Sequence, residues 1–239
     1  MGRKSCWSDK GFRVKRFSLY RLLDSPLIYK FVEILFAFGS KRLLKHQYKN
    51  IYNESIGMVL DVGCGPALTS PLPHGAIIGV DTNIGYVKNY ARAMIRRTTC
   101  NIKNEVSNEV VRSWGVVGSA DEMPLLNNIF DEVRSVGLIH HLQCECAKAA
   151  IIEMVRCTKI NGRIFVFDSV WPIMPFYRPL AWLLRKLDRG KWVRTENELL
   201  KLANSAYPMK WQSKRFTYSY TGLEGLFLTV QKTEIPMQV

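Results

Sequence analysis

The 239-residue sequence has few glycines and prolines, 16 and 10 residues, which excludes a collagen-like or low-complexity chain. Its six cysteines, at positions 6, 64, 100, 144, 146 and 157, lack the density and spacing of a secreted disulfide framework, and no secretory signal opens the sequence. The most apolar stretch, Leu27 to Gly39, contains Lys30 and Glu33 and falls short of the ~20 residues that a membrane span requires. We therefore expect one sizeable globular domain in the cytoplasm, with any membrane contact peripheral and at the inner face.

Basic residues are unevenly distributed along the chain, whose formal net charge is +14. Residues 1–50 hold 12 basic and 3 acidic side chains, and residues 178–215 hold 10 and 3, whereas residues 51–177 hold 11 and 12. A near-neutral centre between two basic flanks indicates a core that holds an uncharged or cationic ligand. The flanks then either serve solubility or contact something anionic, such as phosphate, nucleic acid or a lipid surface.

Short apolar strands alternate with amphipathic helices through the centre of the chain. The strands are predicted at 58–62, 76–80, 114–119, 130–138 and 163–167, and the intervening helices at 83–97 and 147–157. This alternation predicts an α/β fold with a doubly wound, mostly parallel sheet. The other predicted elements are a cap helix, a capping-box helix and a terminal antiparallel hairpin, at 27–38, 195–203, and 215–220 with 226–231.

A glycine-containing turn follows the first strand, in the string Asp61-Val62-Gly63-Cys64-Gly65. Glycine permits positive φ there and lets the backbone come close to a bound ligand. Asp81 ends the next strand, where a carboxylate can accept hydrogen bonds from both ribose hydroxyls of an adenosine. The pair of features therefore predicts a nucleoside site at the carboxyl ends of the strands.

A dinucleotide site shares these features, but other residues argue against one. The Asp61 carboxylate would repel a pyrophosphate at this turn, and Leu68 stands where a dinucleotide motif needs its third glycine. Asp121 adds a carboxylate after the third strand. Acidic side chains at the ends of three strands favour a ligand with an adenosine end and a positive charge.

Five strings resemble, in order and spacing, the class I S-adenosylmethionine-dependent methyltransferases, particularly the branch that includes the quinone-biosynthesis C-methyltransferases. They are Asp61-Val62-Gly63-Cys64-Gly65, Gly79-Val80-Asp81, Ser119-Ala120-Asp121-Glu122-Met123-Pro124, Phe130-Asp131, and Gly137-Leu138-Ile139-His140-His141-Leu142. The resemblance runs from Met58 to Phe167, and the terminal hairpin also fits. One position departs from the pattern, because Ala67 stands where the family usually has a third glycine.

The resemblance implies a Rossmann-like methyltransferase fold with a seven-stranded sheet whose last strand is antiparallel. It implies S-adenosyl-L-methionine as the cofactor, lying across the strand ends of a methyltransferase domain at residues 51–239. Residues 1–50 are then a basic N-terminal segment with the cap helix. The implied cofactor-binding residues are Asp61, Gly63 and Gly65 at the methionine and ribose, Cys64 as a small buried filler of the same turn, Asp81 at the ribose hydroxyls, and Ala120 with Asp121 at the adenine.

Methyl transfer from a sulfonium can be catalysed largely by positioning, which is worth up to ~7 to 11 kcal/mol, so no catalytic triad is required. A base is needed only where the acceptor must lose a proton. The candidates are His140, which we favour, and His141, both after the fourth strand. The other interpretation is that both are structural. The spacing of Cys144 and Cys146 beside them does not match a zinc site, so no metal is predicted.

An aromatic and basic segment, residues 171–194, separates the fifth strand from the capping-box helix. It opens with Trp171-Pro172-Ile173-Met174-Pro175-Phe176-Tyr177 and continues with leucines at helical spacing among arginines and lysines. In this fold such an insertion sits over the strand ends, so we expect it to be the lid of the acceptor site. Its composition fits a small acceptor that is amphipathic or anionic, or a lipid-linked acceptor reached at a membrane surface.

Two other functions stay open on the sequence alone. The basic flanks can grip RNA while the core methylates a base, as in a tRNA methyltransferase, although no appended RNA-binding module is evident. A non-catalytic protein could instead bind an adenosine ligand and dock on a membrane or a partner through its flanks.

Overall fold

The computed structural model describes residues 43, 56–65, 74–102, 112–174, 176–188 and 190–234. The predicted cap helix, nearly all of the basic N-terminal segment, and Ala67 lie outside these residues. The described part contains the complete predicted sheet and most of the segment expected to form the lid.

Seven strands form one sheet. In chain order they are β1 Ile56–Val62, β2 His74–Asp81, β3 Arg112–Val117, β4 Phe130–Val136, β5 Thr158–Val170, β6 Gln212–Thr217 and β7 Glu224–Gln231. In space the order is β3-β2-β1-β4-β5-β7-β6. Strands β1 to β5 pair in parallel, whereas β7 is antiparallel to both β5 and β6. The predicted α/β fold, strand number and terminal hairpin are confirmed, and the sheet is mixed because of β7.

The sequential order of the strands reverses at β1, which lies between β2 and β4. Crevices outside the carboxyl ends of parallel strands at such a reversal are where open α/β sheets bind ligands. The carboxyl ends of β1 to β5 are therefore the edge on which to look for a site.

Four longer helices connect the strands within the described residues. They are α1 Ile84–Ile102, α2 Cys144–Cys157, α3 Pro179–Lys186 and α4 Glu196–Ala206, and a short 3-10 turn spans Ile139–His141. Asn83 caps α1 by accepting a hydrogen bond from the N–H of Gly85 at 2.8 Å. The predicted capping box is confirmed, because Thr195 and Glu198 bond reciprocally at the start of α4.

The main core lies between one face of the sheet and helices α2 and α4. Helix α2 buries the four residues that its periodicity predicts, Ala147, Ala150, Ile151 and Met154. Helix α1 belongs to a smaller cluster with Val59 and Ile77. Its buried residues are Val87, Tyr90 and Met94. Ile84 has the helical spacing of these buried residues, yet it is exposed in the first turn of the helix.

One further detail concerns β5. Asn161 and Gly162, a pair typical of turns, lie inside this strand, where Asn161 has a φ of +64° and the pairing with β4 shifts register between Phe130 and Glu132. This irregularity has the character of a β-bulge and extends β5 to 13 residues. Cys64, Cys144 and Cys157 are free thiols.

Candidate functional site

The glycine turn after β1 is held by backbone hydrogen bonds to the end of β2. The N–H groups of Gly63 and Cys64 both donate to the carbonyl of Val80, at 2.8 and 3.0 Å. Gly63 and Gly65 have φ angles of +68° and +52°, in the left-handed region that favours glycine. A Cβ on Gly63 would also lie 2.8 Å from Cδ1 of Leu138. Both predicted glycines therefore have a conformational reason to be there.

Asp81 joins the loops that follow β1, β2 and β3. One carboxylate oxygen accepts the N–H of Gly65 at 3.1 Å, and the other accepts the N–H of Asn83 at 2.8 Å. Its backbone carbonyl accepts the N–H of Gly118 at 3.1 Å, just after β3. Each carboxylate oxygen has two lone pairs, so both can still accept a hydrogen bond from a ligand.

Asp61 lies beneath the glycine turn with 1% of its surface exposed. Its Oδ2 accepts a hydrogen bond from the Tyr90 hydroxyl at 3.0 Å and lies 3.9 Å from Nε of the buried Arg134. Burial, reinforced by the Asp61 charge, raises the pKa of Tyr90 well above its ordinary value, so the phenol is a neutral donor. Asp61 is therefore buried, and the partly exposed carboxylates among the three predicted aspartates are those of Asp81 and Asp121.

Cys64 packs into the cluster beneath the same turn. A Cβ added to Gly79 would lie 2.8 Å from Sγ of Cys64 and 2.6 Å from a ring carbon of Tyr90. Glycine is therefore needed at position 79 to leave room for both side chains. Burial, and secondarily the charges of Asp61 and Asp81, raise the pKa of the Cys64 thiol. The thiol is therefore protonated near neutral pH and is a packing group, as predicted.

Ala120 and Asp121 form a tight turn after β3. The Ser119 hydroxyl donates to the Asp121 carboxylate, and a bridge joins Ser119 to Glu122. Met123 follows Glu122, and its N–H donates a hydrogen bond to Glu153 of α2 at 2.8 Å. The turn therefore has a defined conformation beside the loop that follows β2.

His140 and Asp168 form a buried pair where β4 and β5 end. Nδ1 of His140 contacts Oδ1 of Asp168, and the His140 N–H donates to Oδ2 at 2.8 Å. Nε2 lies 3.9 Å from Asp188. Gly190 packs on the ring so closely that a Cβ there would lie 1.9 Å from Cδ2 of His140. His140 is thus 8% exposed, whereas its neighbour His141 is exposed.

The ionisation of this pair follows from two opposing effects. Burial alone would lower the pKa of His140, but the Asp168 carboxylate outweighs it, so the pKa lies above the ordinary value of 6.5. Burial would raise the pKa of Asp168, yet His140 lowers it below 3.8. The charged forms of both side chains, protonated His140 and ionised Asp168, therefore stabilise each other.

The segment 171–194 is fastened beside this pair. The Arg194 guanidinium donates to the carbonyls of Ile139 and Leu142, each at 2.9 Å. The N–H of Trp192 donates to the His140 carbonyl at 2.9 Å, and the N–H of Trp171 donates to the Arg194 carbonyl at 3.2 Å. Both ends of the segment therefore meet at the carboxyl ends of β4 and β5.

Comparison with known proteins agrees with this geometry. Residues 60–166 match the family described as a methyltransferase domain, and this range includes the glycine turn, Asp81, Asp121 and His140. The match starts within β1 and ends within β5, so it covers the carboxyl ends of β1 to β4. Residues 60–166 are therefore similar to a methyltransferase domain.

Two curated relatives and one solved structure are similar to this chain. The chain is 30% identical over 118 residues to an uncharacterized methyltransferase of Schizosaccharomyces pombe, matching 47% of the chain and 40% of that protein's length. It is 29% identical over 189 residues to a methyltransferase of Encephalitozoon cuniculi, matching 78% of the chain and 71% of that protein. A solved methyltransferase of Methanosarcina mazei has a TM-score of 0.54 at 16% identity, covering 77% and 96% of the two chains, which shows a shared fold.

Several side chains that organise this edge of the sheet have no signal in the sequence. Tyr90, Arg134 and Asp168 are buried polar partners of predicted residues, and Arg194 was predicted only as a basic residue of the segment. Within the described residues, no group of three or more His, Cys, Asp and Glu side chains is arranged to hold a metal ion.

Proposed function

We propose that this protein transfers the methyl group of S-adenosylmethionine to a small amphipathic acceptor. The observation that carries the proposal is the convergence on Asp81 of the glycine turn, the loop after β2 and the loop after β3, within a domain of this family. The partly exposed carboxylates at this edge, those of Asp81 and Asp121, suit a cationic sulfonium nucleoside.

The cofactor contacts follow from the groups at this edge. The Asp81 carboxylate would accept both ribose hydroxyls with its remaining lone pairs. The backbone of Gly63, Cys64 and Gly65 would lie along the ribose and methionine portion, and Ala120 with Asp121 would contact the adenine. Asp61 would act through the turn, because its carboxylate is engaged by Tyr90 below it.

Methyl transfer at this site would be catalysed chiefly by positioning. Holding an acceptor and the methyl group in near-attack geometry contributes as much as ~7 to 11 kcal/mol, without a charged intermediate to stabilise. In the proposed mechanism, His140 keeps the loop after β4 and the segment 171–194 in place, since its ring contacts Asp168 and is covered by Gly190. Where the acceptor must lose a proton, the exposed His141 is the better placed of the two histidines.

The segment 171–194 would supply the acceptor site. Its three described arginines are already engaged within the protein: Arg178 bonds Glu224 at 2.9 Å, Arg185 bonds Asp188 at 2.7 Å, and Arg194 bonds backbone carbonyls. This engagement favours an apolar or amphipathic acceptor over a strongly anionic one, and it weakens the case for RNA. We also propose that the protein belongs near the quinone-biosynthesis C-methyltransferases among the methyltransferases. We propose a cytoplasmic location for it as well.

The test is transfer of an isotopically labelled methyl group to small molecules in a cell extract, followed by mass spectrometry. We expect a labelled product of low molecular mass that forms only with the active protein and S-adenosylmethionine. Label recovered only in RNA would contradict the proposed acceptor class. Binding of S-adenosylmethionine without any labelled product would favour the non-catalytic alternative.

A further inference from the structure

Six apolar side chains that follow β5 point away from the protein. We call them the apolar tip: Ile173, Met174, Phe176, Tyr177, Leu180 and Leu183. Phe176 is 96% exposed and Tyr177 is 84% exposed, and the other four are about half exposed or more. Contiguous apolar surface of this kind on a soluble domain marks a place of interaction.

The apolar tip is held in place by the packing of helix α3. Helix α3 buries Ala181, Leu184 and Arg185 on the side that packs against Tyr218 and Leu223. Leu180 and Leu183 therefore lie on the outer side of the same helix, and they are exposed because the inner side is already packed.

The base of the tip is fixed by an arginine as well. Arg178 bonds the Thr217 hydroxyl at 2.8 Å, the Gly222 carbonyl at 3.1 Å and Glu224 at 2.9 Å. These bonds join the start of α3 to the β6–β7 hairpin. The outward direction of the apolar tip is thus set by packing and hydrogen bonds on its inner side.

An exposed lysine lies beside the apolar tip. Residues 169–187 contain no Asp or Glu, and because Arg178 and Arg185 are paired with Glu224 and Asp188, the exposed basic side chain of this range is Lys186. The Nζ of Lys186 lies 3.9 Å from the centre of the Trp182 ring. Apolar and aromatic side chains beside an exposed lysine complement an anionic lipid surface. Among the described residues, no helix is long and apolar enough to cross a membrane.

We propose that the apolar tip inserts into the interface of an anionic phospholipid bilayer. The tip follows directly from β5, whose end holds the Asp168–His140 pair, so docking would turn the carboxyl edge of the sheet toward the lipid. The next step rests on the proposed function. With the carboxyl edge of the sheet facing the lipid, the acceptor belongs to the lipid-soluble molecules held in the bilayer. Vesicle binding itself needs no methyl transfer, so the two proposals fail separately.

The experiment is sedimentation of the full chain with vesicles of phosphatidylcholine alone or mixed equally with phosphatidylserine. We expect binding to the mixed vesicles and much weaker binding to phosphatidylcholine. The double variant Phe176→Ser and Tyr177→Ser should lose about tenfold or more in affinity, because it removes two inserting aromatic side chains. Lys186→Gln should lose about fivefold, and only on anionic vesicles.

The matched control is Leu126→Ser, which removes an apolar side chain 74% exposed outside the tip and should bind vesicles as the wild type does. Thermal stabilisation by S-adenosylhomocysteine, measured for every variant, establishes that the fold is intact. Equal vesicle binding by the wild type and the double variant would overturn the proposal. So would a change of oligomeric state or of tRNA binding in the double variant without a change in vesicle binding, because the tip would then serve a second copy of the chain or RNA.

Discussion

The two halves of the carboxyl edge of the sheet contain different kinds of interacting groups. Around β1 to β3, glycines, backbone N–H groups and short acidic side chains are joined through Asp81. Around β4 and β5, long charged side chains are buried: His140 with Asp168, and Arg194 on two carbonyls. The first arrangement leaves backbone accessible to a ligand, whereas the second fixes the segment 171–194. Substitutions in the two halves should therefore separate cofactor binding from stability and acceptor use.

The largest effect is expected from Asp81→Ala in the cofactor half. It removes charge-assisted hydrogen bonds worth about 1.5 to 3 kcal/mol each, so affinity for S-adenosylhomocysteine should fall at least about a hundredfold. Isothermal titration calorimetry measures the loss. Asp81→Asn keeps the shape and one acceptor oxygen and should lose less. Wild-type affinity in the alanine variant would remove Asp81 from the cofactor site.

The next effect is expected from Arg194→Leu in the acceptor half. The substitution leaves two buried carbonyls without their charged donor, which should lower the free energy of unfolding by about 3 kcal/mol. Affinity for S-adenosylhomocysteine should change little, because the Arg194 guanidinium contacts the loop after β4, Cys144 at the start of α2 and its own segment rather than the glycine turn or Asp81. Urea unfolding and calorimetry measure the two quantities. Lys201→Leu, which removes an exposed cation of α4, is the control, and an equal loss of stability there would count against the assigned role.

A smaller effect is expected from Gly63→Ala. Its φ of +68° is unfavourable for alanine, and the added Cβ would press on Leu138, so we expect a loss of about 1 to 2 kcal/mol in stability. Cofactor affinity should fall as well, because the turn must shift. Gly222→Ala is the matched control: its φ of +86° carries a similar strain, but it lies on the β6–β7 hairpin and should leave cofactor affinity unchanged. If both variants bind the cofactor equally well, the turn is not part of its site.

The smallest effect is expected from His140→Gln, and it depends on pH. Because the pKa of His140 is raised in the folded protein, its stabilising ion pair is complete below the unfolded value of about 6.5 and is lost as pH rises through the folded pKa. Because the pKa of Asp168 is lowered, its share is complete above about 3.9 and is lost as pH falls. The stability difference between wild type and variant should therefore be about 1 to 2 kcal/mol between about pH 4 and 6.5 and shrink in alkaline solution. Urea unfolding across pH checks this, and a difference independent of pH would contradict the ion pair.

The sequence predicts the cofactor half better than the acceptor half for a physical reason. A glycine turn, a strand and a terminal aspartate are local patterns, so Gly63, Gly65 and Asp81 could be placed from their neighbours alone. The partners in the acceptor half are remote: Asp168 is 28 residues from His140, and Arg194 is 55 residues from Ile139. No periodicity or motif in one sequence links such residues.

The same limit explains the two site residues whose surroundings differ from prediction. Asp61 is close to the predicted edge, but its carboxylate lies in the interior, where it contacts Tyr90 and Arg134. No sequence pattern identifies either partner. The position of His140 after β4 predicts a base. In the structure, however, Asp168 and Gly190 enclose its ring. Strand order and loop position were predictable, and side-chain direction was set by partners brought together only in the fold.

Equilibrium dialysis of the protein against radiolabelled S-adenosylmethionine tests the central claim most directly. Saturable binding of one equivalent, displaced by S-adenosylhomocysteine and not by NAD, is the result that this account predicts. Absence of binding, or displacement by NAD, would contradict a crevice built for a cationic nucleoside.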